Sequence, residues 1–542
     1  MLDIIFETSK KSGKSIIVFG IISGMSSVAM LAVLNDATTN VQQGEVNYQS
    51  FILFLIALVL SSFSRKISLN RADVIVEDVV MTIRNRITDK IRKSSLLSFE
   101  KIGKETYYVS LTQHTRYISD SYLMVMNAFQ SSIILVGCVI YIGFLSIPSL
   151  IISIAIIFSG VVFYLKKTRE ASRSLVVASD REKDFFALFE HILKGFKELA
   201  LSRRKSRGIF NEFNRVSDES ERLKISVSGK LIEITMMSQA NMYFLIAMLL
   251  IVLPFLQITS YETIPELIVA ILFLWGPLET IVGAIPHYAR AKMAAVELDK
   301  LEKELDKRRD FLEPAKKTSR RDKGKFLTDF GLQKYKYIHS DINGEPLFTF
   351  GELGFRVSKG EIVFITGGNG SGKTTLFKSL TSLYSADSGD IILNDIPLVQ
   401  KDCRQYRENF SAIFSDFHLF EKLYGIKGLK KAKVDELLKR LGIYEKTSFK
   451  ARKFSNLQLS LGQRKRLGIV VALLEERPIL LLDEPAAELD PEFRRYFYET
   501  LLPQFRDEGR TIVVITHDDR YFSCCDRLIK MESGLILDEE GE

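Results

Sequence analysis

The sequence predicts a membrane α-helical domain fused to an α/β domain. Six long apolar stretches, at about 15–34, 50–64, 122–146, 149–165, 236–257 and 264–285, all precede residue 290. From about residue 326 onward, strand-like runs alternate with helix-like runs, the pattern of an α/β fold. Within that half, Gly-Gly-Asn-Gly-Ser-Gly-Lys-Thr at 367–374 separates the strand-like Ile362–Thr366 from the helix-like Thr375–Leu380. This is the strand–loop–helix setting of a phosphate-binding loop. The expected limits are 1–305 for the membrane domain, 306–325 for a charged linker and 326–542 for the α/β domain.

Most of the apolar stretches reach or approach the roughly 20 residues that a helix needs to cross a bilayer. The second is short and is expected to continue into the more polar helix behind it. The third and fourth are joined by Ser146-Ile147-Pro148-Ser149, a tight turn outside the bilayer. Lys10, Lys11 and Lys14 precede the first span, and segments 65–120 and 166–235 are rich in Lys and Arg. The loops near 35–48 and 258–263 hold only acidic charges, Asp36, Glu45 and Glu262. By the positive-inside rule both termini then face the cytosol. The two long inside segments mix charged and apolar residues without Pro, as cytosolic extensions of the spans would. Their tips fall at Gly103 and at Gly195-Phe196-Lys197-Glu198-Leu199.

The 542 residues carry a formal charge of +8. The basic residues are spread beside apolar segments, so lipid headgroups and topology account for them, and nucleic acid is not an expected partner. Four cysteines match no zinc spacing and imply no disulfide framework.

The phosphate loop names its ligand. Gly367, Gly368, Gly370 and Gly372 let the backbone turn its N–H groups toward phosphate oxygens, with Asn369 and Ser371 between them. Thr375 follows in the helix whose positive end faces the same anion. Lys373 reaches the β- and γ-phosphates of ATP, and the Thr374 hydroxyl is placed for Mg²⁺. Ile479-Leu480-Leu481-Leu482 is an apolar strand delivering Asp483 for Mg²⁺ and Glu484 to orient or deprotonate the attacking water.

Between these motifs, Leu459-Ser460-Leu461-Gly462-Gln463 is similar to the signature motif of ATP-binding-cassette (ABC) proteins, with Leu461 where glycine is usual. The resemblance implies that Ser460, Gly462 and Gln463 complete an ATP site on an opposite protomer. It also implies that Asp490 lies in the D-loop and that His517 is the switch histidine at the γ-phosphate. Tyr337 is the expected adenine-stacking ring, with Tyr335 competing for the role and core packing open for both. Ser415 stands where the family has a glutamine, which leaves Ser415 and Asp416 as substitutes at the Mg²⁺.

Six spans ahead of one cassette resemble an exporter-type ABC half-transporter. The Gly195–Leu199 tip, Phe414-Ser415-Asp416 and the segment from Thr516 to Phe522 resemble the bacterial cyclic-peptide and siderophore-peptide exporters. That group includes exporters of syringomycin, pyoverdine precursor and microcin. The resemblance implies a homodimer in the lipid of the bacterial inner membrane, exporting a peptide-like compound by alternating access. A lipid or glycolipid flippase, a siderophore importer on the same fold and an ATP-gated channel are the competing readings. Glu279, Trp275, Asn241 and Gln130 are the polar and aromatic candidates for the substrate path, with helix–helix contacts as the alternative.

Overall fold

A computed structural model describes residues 13–42, 48–252, 255, 263–307, 328–340, 345–399, 402–426 and 428–541. Linker residues 308–325 and loop residues 258–262 lie outside them. Two compact units divide the chain. One comprises Met1–Asp89 and Glu105–Lys303, the other Lys90–Lys104 and Glu304–Glu542. Lys90–Lys104, from the first half of the chain, packs as part of the second unit.

Helices build the first unit: α1 (Gly13–Gln42), α2 (Tyr48–Arg92), α4 (Lys104–Val109), α5 (Thr115–Leu145), α6 (Ile147–Lys194), α7 (Phe196–Leu201), α8 (Arg203–Ala247) and α9 (Ile264–Lys307); α3 (Leu96–Ile102) belongs to the second. The described part of every apolar stretch is helical. Among the described residues, five helices are long and apolar enough to cross a membrane, and the apolar part of α6, Ile147–Phe163, is shorter. Ser146 caps α6 by accepting from Ser149 N, with Pro148 in the first turn, where its missing N–H costs nothing. Small residues let helices approach. A Cβ on Gly24 would stand 2.6 Å from Ile133, and one on Gly137 2.3 Å from Val28, so α1 and α5 pack almost backbone to backbone. Leu31, Ile142, Leu249, Leu267 and Leu274 fill the bundle interior. Phe51, Ile52, Ile56 and Val59 of α2 and Ile151, Ile154 and Phe158 of α6 are exposed, as lipid-facing side chains are.

The polar continuations of α2, α6, α8 and α9 are helical, as their mixed patterning predicts. In α2, Ser64, Ser68, Ala72, Val76, Val79, Val80, Ile83 and Ile87 form a buried stripe with three- and four-residue steps. Arg86 pairs with Glu302 at 2.7 Å. Gly103, with φ +81°, ends α3, and Gly195 separates α6 from α7.

The second unit is α/β. Strands β1 (Asp329–Ser340), β2 (Pro346–Ser358), β4 (Ser388–Leu393) and β5 (Ile396–Pro397) form an antiparallel sheet in the order β2-β1-β4-β5. The larger sheet has the order β12-β11-β3-β10-β9-β6, from β3 (Ile362–Gly367), β6 (Phe410–Ile413), β9 (Ile479–Asp483), β10 (Thr511–Ile515), β11 (Arg527–Glu532) and β12 (Leu535–Gly541). A short hairpin, β7 (Phe449–Lys450) with β8 (Lys453–Phe454), lies apart. β9 and β10 are buried along their whole length, which explains their unbroken apolar sequences: both faces of a parallel sheet are covered. Helices α10 (Lys373–Leu380), α11 (Cys403–Arg407), α12 (Lys431–Arg440), α13 (Leu461–Leu474), α14 (Pro491–Tyr496) and α15 (Leu502–Asp507) complete it.

Candidate nucleotide site

The parallel register brings three loop ends together. Val514 pairs with Phe364 and Leu482, and Ile515 with Ile365 and Asp483, so the phosphate loop, Glu484 and His517 emerge at the same edge of the sheet. Ligands in open α/β sheets bind outside the carboxyl ends of the strands, where this edge lies.

The loop itself is shaped by glycine. Gly367, Gly370 and Gly372 have φ of +149°, +79° and +100°, a region that L side chains rarely adopt. A Cβ on Gly367 would also lie 2.2 Å from the Met531 carbonyl oxygen. Around Gly368 and Gly370 the space is open, and both residues, with Asn369, are exposed. Lys373 folds back over the loop, its Nζ donating to Gly367 O at 2.8 Å and Gly368 O at 2.9 Å. Burial holds its ammonium below the usual lysine range, against the opposing pull of Glu484 and Asp483. The Ser371 hydroxyl is buried with no hydrogen-bond partner among the described residues. A cationic Lys, open glycine backbone and an orphaned hydroxyl at one helix start fit a polyphosphate.

Asp483 closes the site from β9. It is 3% exposed, and its Oδ2 accepts from Thr374 Oγ1 at 3.4 Å and from Ser415 N at 3.3 Å. Burial pushes its carboxyl above the usual range, while the Ser415 N–H pulls it back. Thr374 and Asp483 therefore offer a hydroxyl and a carboxylate side by side, and these are the residues that fit Mg²⁺. Ser415 meets Asp483 through its backbone, whereas Asp416 is exposed.

Glu484 has φ +48°, a conformation uncommon for a residue with a side chain. Its N–H donates to Ile515 O at 3.0 Å, and its carboxylate lies 3.5 Å from His517 Nε2. Both side chains remain partly exposed. Its carbonyl is held by a residue that sequence reasoning missed. Lys465 of α13 is 4% exposed, donates from Nζ to Glu484 O at 2.6 Å and pairs with the Glu488 carboxylate. One signal was available: a lysine inside a helix that otherwise becomes the apolar run Leu467–Leu474.

Ser460 is the exposed N-cap of α13, in a reciprocal capping box with Gln463. Gly462 cannot carry a side chain, because its Cβ would lie 2.5 Å from Glu488 O. Leu461, the departure from the usual motif, is 49% exposed and crowds nothing. Asp490 caps α14 by accepting from Phe493 N at 2.8 Å and pairs with Arg466, so its carboxylate is committed to the fold.

The aromatic expectation needs correction. Tyr337 is 3% exposed, and its ring stacks on Tyr384 with centroids 4.7 Å apart. Tyr335 is fully buried and donates to Tyr384 O at 3.0 Å. Both are core residues, because alternate positions of β1 face the sheet interior. His339 is the next residue on that face. It is exposed, and its ring centroid lies 6.5 Å from that of Tyr337.

Within the same unit, α3 contacts Tyr384. Glu100 accepts from Tyr384 Oη at 2.8 Å and from Lys378 Nζ at 3.0 Å, while Leu96 and Leu97 pack on the core beneath. Lys378 belongs to the phosphate-loop helix, so this carboxylate ties α3 to that helix and to the tyrosine pair of the core.

The path candidates separate. Asn241 donates from Nδ2 to Ile156 O at 3.3 Å, a helix–helix bond. Trp275 packs against Tyr243 and the bundle core. Gln130 is 4% exposed, and both of its amide heteroatoms are buried without a partner among the described residues. Glu279 is exposed.

A membrane helix bundle joined to a cassette with this phosphate loop, carboxylate pair and signature cap defines an ABC transporter. The ABC transporter family matches residues 350–487. ATP-binding protein SyrD of Pseudomonas syringae pv. syringae is 30% identical over 538 residues, covering 96% of this chain and 93% of that protein. The structure of a bacterial Atm1-family ABC exporter with ATP bound superposes with a TM-score of 0.78 at 15% identity, covering 98% of this chain and 95% of that one. The chain belongs to the ABC transporter family. It is a multi-pass membrane protein with the exporter fold, and its cassette is an ATPase coupled to transport.

Proposed function

We propose that two copies of this chain form a homodimer that exports a peptide or peptide-like compound across the bacterial cytoplasmic membrane, with both termini cytosolic. The observation that carries the reading is the division of the cassette. The phosphate loop, Asp483, Glu484 and His517 gather at one sheet edge, while Ser460 is exposed at the start of α13. Half of an ATP site is thus built and the complementary half is offered to another copy. The match to SyrD over 96% of this chain, helix bundle included, supports ATP-driven export in general.

In this reading the adenine rests against exposed His339, and the phosphates displace Lys373 from the carbonyls of Gly367 and Gly368. Ser371 supplies its free hydroxyl. Thr374 and Asp483 are the residues that would hold Mg²⁺, which would supply positive charge against the phosphates when bound. Glu484 takes the proton of the attacking water, and His517 contacts the γ-phosphate. ATP drives the cycle only through its higher affinity for the closed dimer, and α3, gripping Lys378 and Tyr384 through Glu100, carries that closure toward α2 and α4.

The test is ATP-dependent uptake into inside-out vesicles. Cyclic and lipidated peptides should accumulate and should stimulate ATP turnover. Stimulation by lipid-linked glycans but by no peptide would replace the exporter reading with a flippase.

A further inference from the structure

Two side chains outside the nucleotide site, Arg494 and Tyr498, hold the loop that carries His517. After α14 the chain makes a single π-helical turn, Phe497–Leu501, before α15 begins. Such turns are rare and gather at functional sites. Tyr498 lies in this turn, and Arg494 lies four residues before it in α14. Tyr498 Oη lies 2.6 Å from Thr516 Oγ1 and 2.9 Å from Asp518 Oδ2. Thr516 Oγ1 also accepts from Asp518 N at 3.1 Å. Arg494 Nη1 pairs with Asp518 Oδ1 at 3.2 Å, and its Nη2 donates to Ala487 O at 3.2 Å and to Leu489 O at 3.3 Å.

The donors can be assigned. A carboxylate only accepts, so Tyr498 donates to Asp518, and the Thr516 hydroxyl must then donate to Tyr498. Each proton is used once, and the Asp518 N–H closes the ring back onto Thr516. Tyr498 and Thr516 are buried. Burial pushes the Tyr498 hydroxyl well above the usual tyrosine range, so it stays a donor. The ring does not need that hydroxyl for its packing. It stacks on Tyr521 with centroids 4.7 Å apart and meets Phe364 of β3 edge-on.

Thr516 and Asp518 flank His517, whose own side chain is left exposed, 3.5 Å from the Glu484 carboxylate. The carbonyls at the other end of the clamp, Ala487 and Leu489, belong to the loop that begins at Glu484. We infer that Tyr498 and Arg494 are positioning residues that lock the His517 loop to the Glu484 loop, so that the histidine and the base keep one geometry around the γ-phosphate. The ion pair is partly exposed and contributes little by itself, whereas the buried hydroxyl chain sets direction. The inference rests on the reading that His517 contacts the γ-phosphate.

The test measures phosphate release against ATP concentration for the full-length protein in lipid nanodiscs. Tyr498→Phe keeps the ring and removes only the hydroxyl. Its kcat should fall about tenfold, the scale of one lost buried hydrogen bond to a charged group, at an unchanged KM for ATP. In a His517→Ala background the same substitution should cost less than about twofold, because Tyr498 acts through the histidine. Arg494→Met should also lower kcat, and Arg494→Lys should restore part of the rate; this pair serves if Tyr498→Phe does not assemble. Unchanged kcat in Tyr498→Phe, an equal loss with and without His517, or lost thermal stability at unchanged kcat overturns the positioning role while leaving the γ-phosphate reading intact. Normal turnover in His517→Ala alone would instead remove the γ-phosphate reading, and the positioning role with it.

Discussion

The cassette and the helix bundle use polar residues in opposite ways. In the cassette they converge: Lys373, Thr374, Asp483 and Glu484 meet at one sheet edge, and their backbone supports are themselves hydrogen-bonded. In the bundle they are dispersed. Among the described residues, Asn241 bonds a neighbouring helix, the Gln130 amide is buried without a partner, and Asn35 leaves one oxygen unmet. Phosphate chemistry demands set residue types at set places, whereas a lipid-embedded helix satisfies its own backbone and leaves side chains free to serve packing or cargo. A cassette can therefore be read by motif, and a bundle only by contacts.

The largest expected effect tests the convergent site. Glu484→Gln should lower steady-state ATP turnover by about 10²–10⁴-fold while ATP still binds, the range for losing a general base. Near-normal turnover, measured by phosphate release, would remove Glu484 from that role.

Lys465 sharpens the same side. With its ammonium gone in Lys465→Met, the Glu484 carbonyl loses a charge-assisted bond, and kcat should fall about tenfold with little change in the KM for ATP. Arginine at 465 should restore part of the rate. A loss confined to KM, or to thermal stability at unchanged kcat, would make Lys465 a packing residue.

The aromatic pair separates core from site. Tyr337→Ala should cost about 3–5 kcal/mol of cassette stability, as large-to-small core changes do. His339→Ala should leave the melting temperature alone and weaken ATP binding about fivefold, the scale of one stacking contact. The reverse pattern in titrations with a fluorescent ATP analogue would return the adenine to Tyr337.

The smallest effect concerns α3. Glu100→Gln weakens its bonds to Lys378 and Tyr384, and basal turnover should shift by less than about threefold, the scale of one partly exposed ion pair. Its signature would lie in coupling, as reduced stimulation of ATP turnover by cargo. Full stimulation in the variant would show that the α3 contact does not transmit.

Much of this protein was legible in its residues. The glycine pattern at 367–372 is required by backbone conformations that only glycine adopts readily, and the runs Ile479–Leu482 and Ile512–Ile515 are apolar because both sheet faces are buried. Apolar length likewise announced the helices. The burial of Tyr337 was not legible, because strand alternation alone does not say which end of a face leaves the core. Lys465 was missed because its partners, Glu484 and Glu488, come from another stretch of chain. Sequence by itself determined what is local: the phosphate loop, the helices and the charge asymmetry of their loops. Only the tertiary structure decided what depends on distant segments meeting. It placed His339 rather than Tyr337 at the surface and joined α3 to the nucleotide-binding unit. Local conformation follows from neighbouring residues, whereas burial and pairing are settled by whatever the fold brings against them.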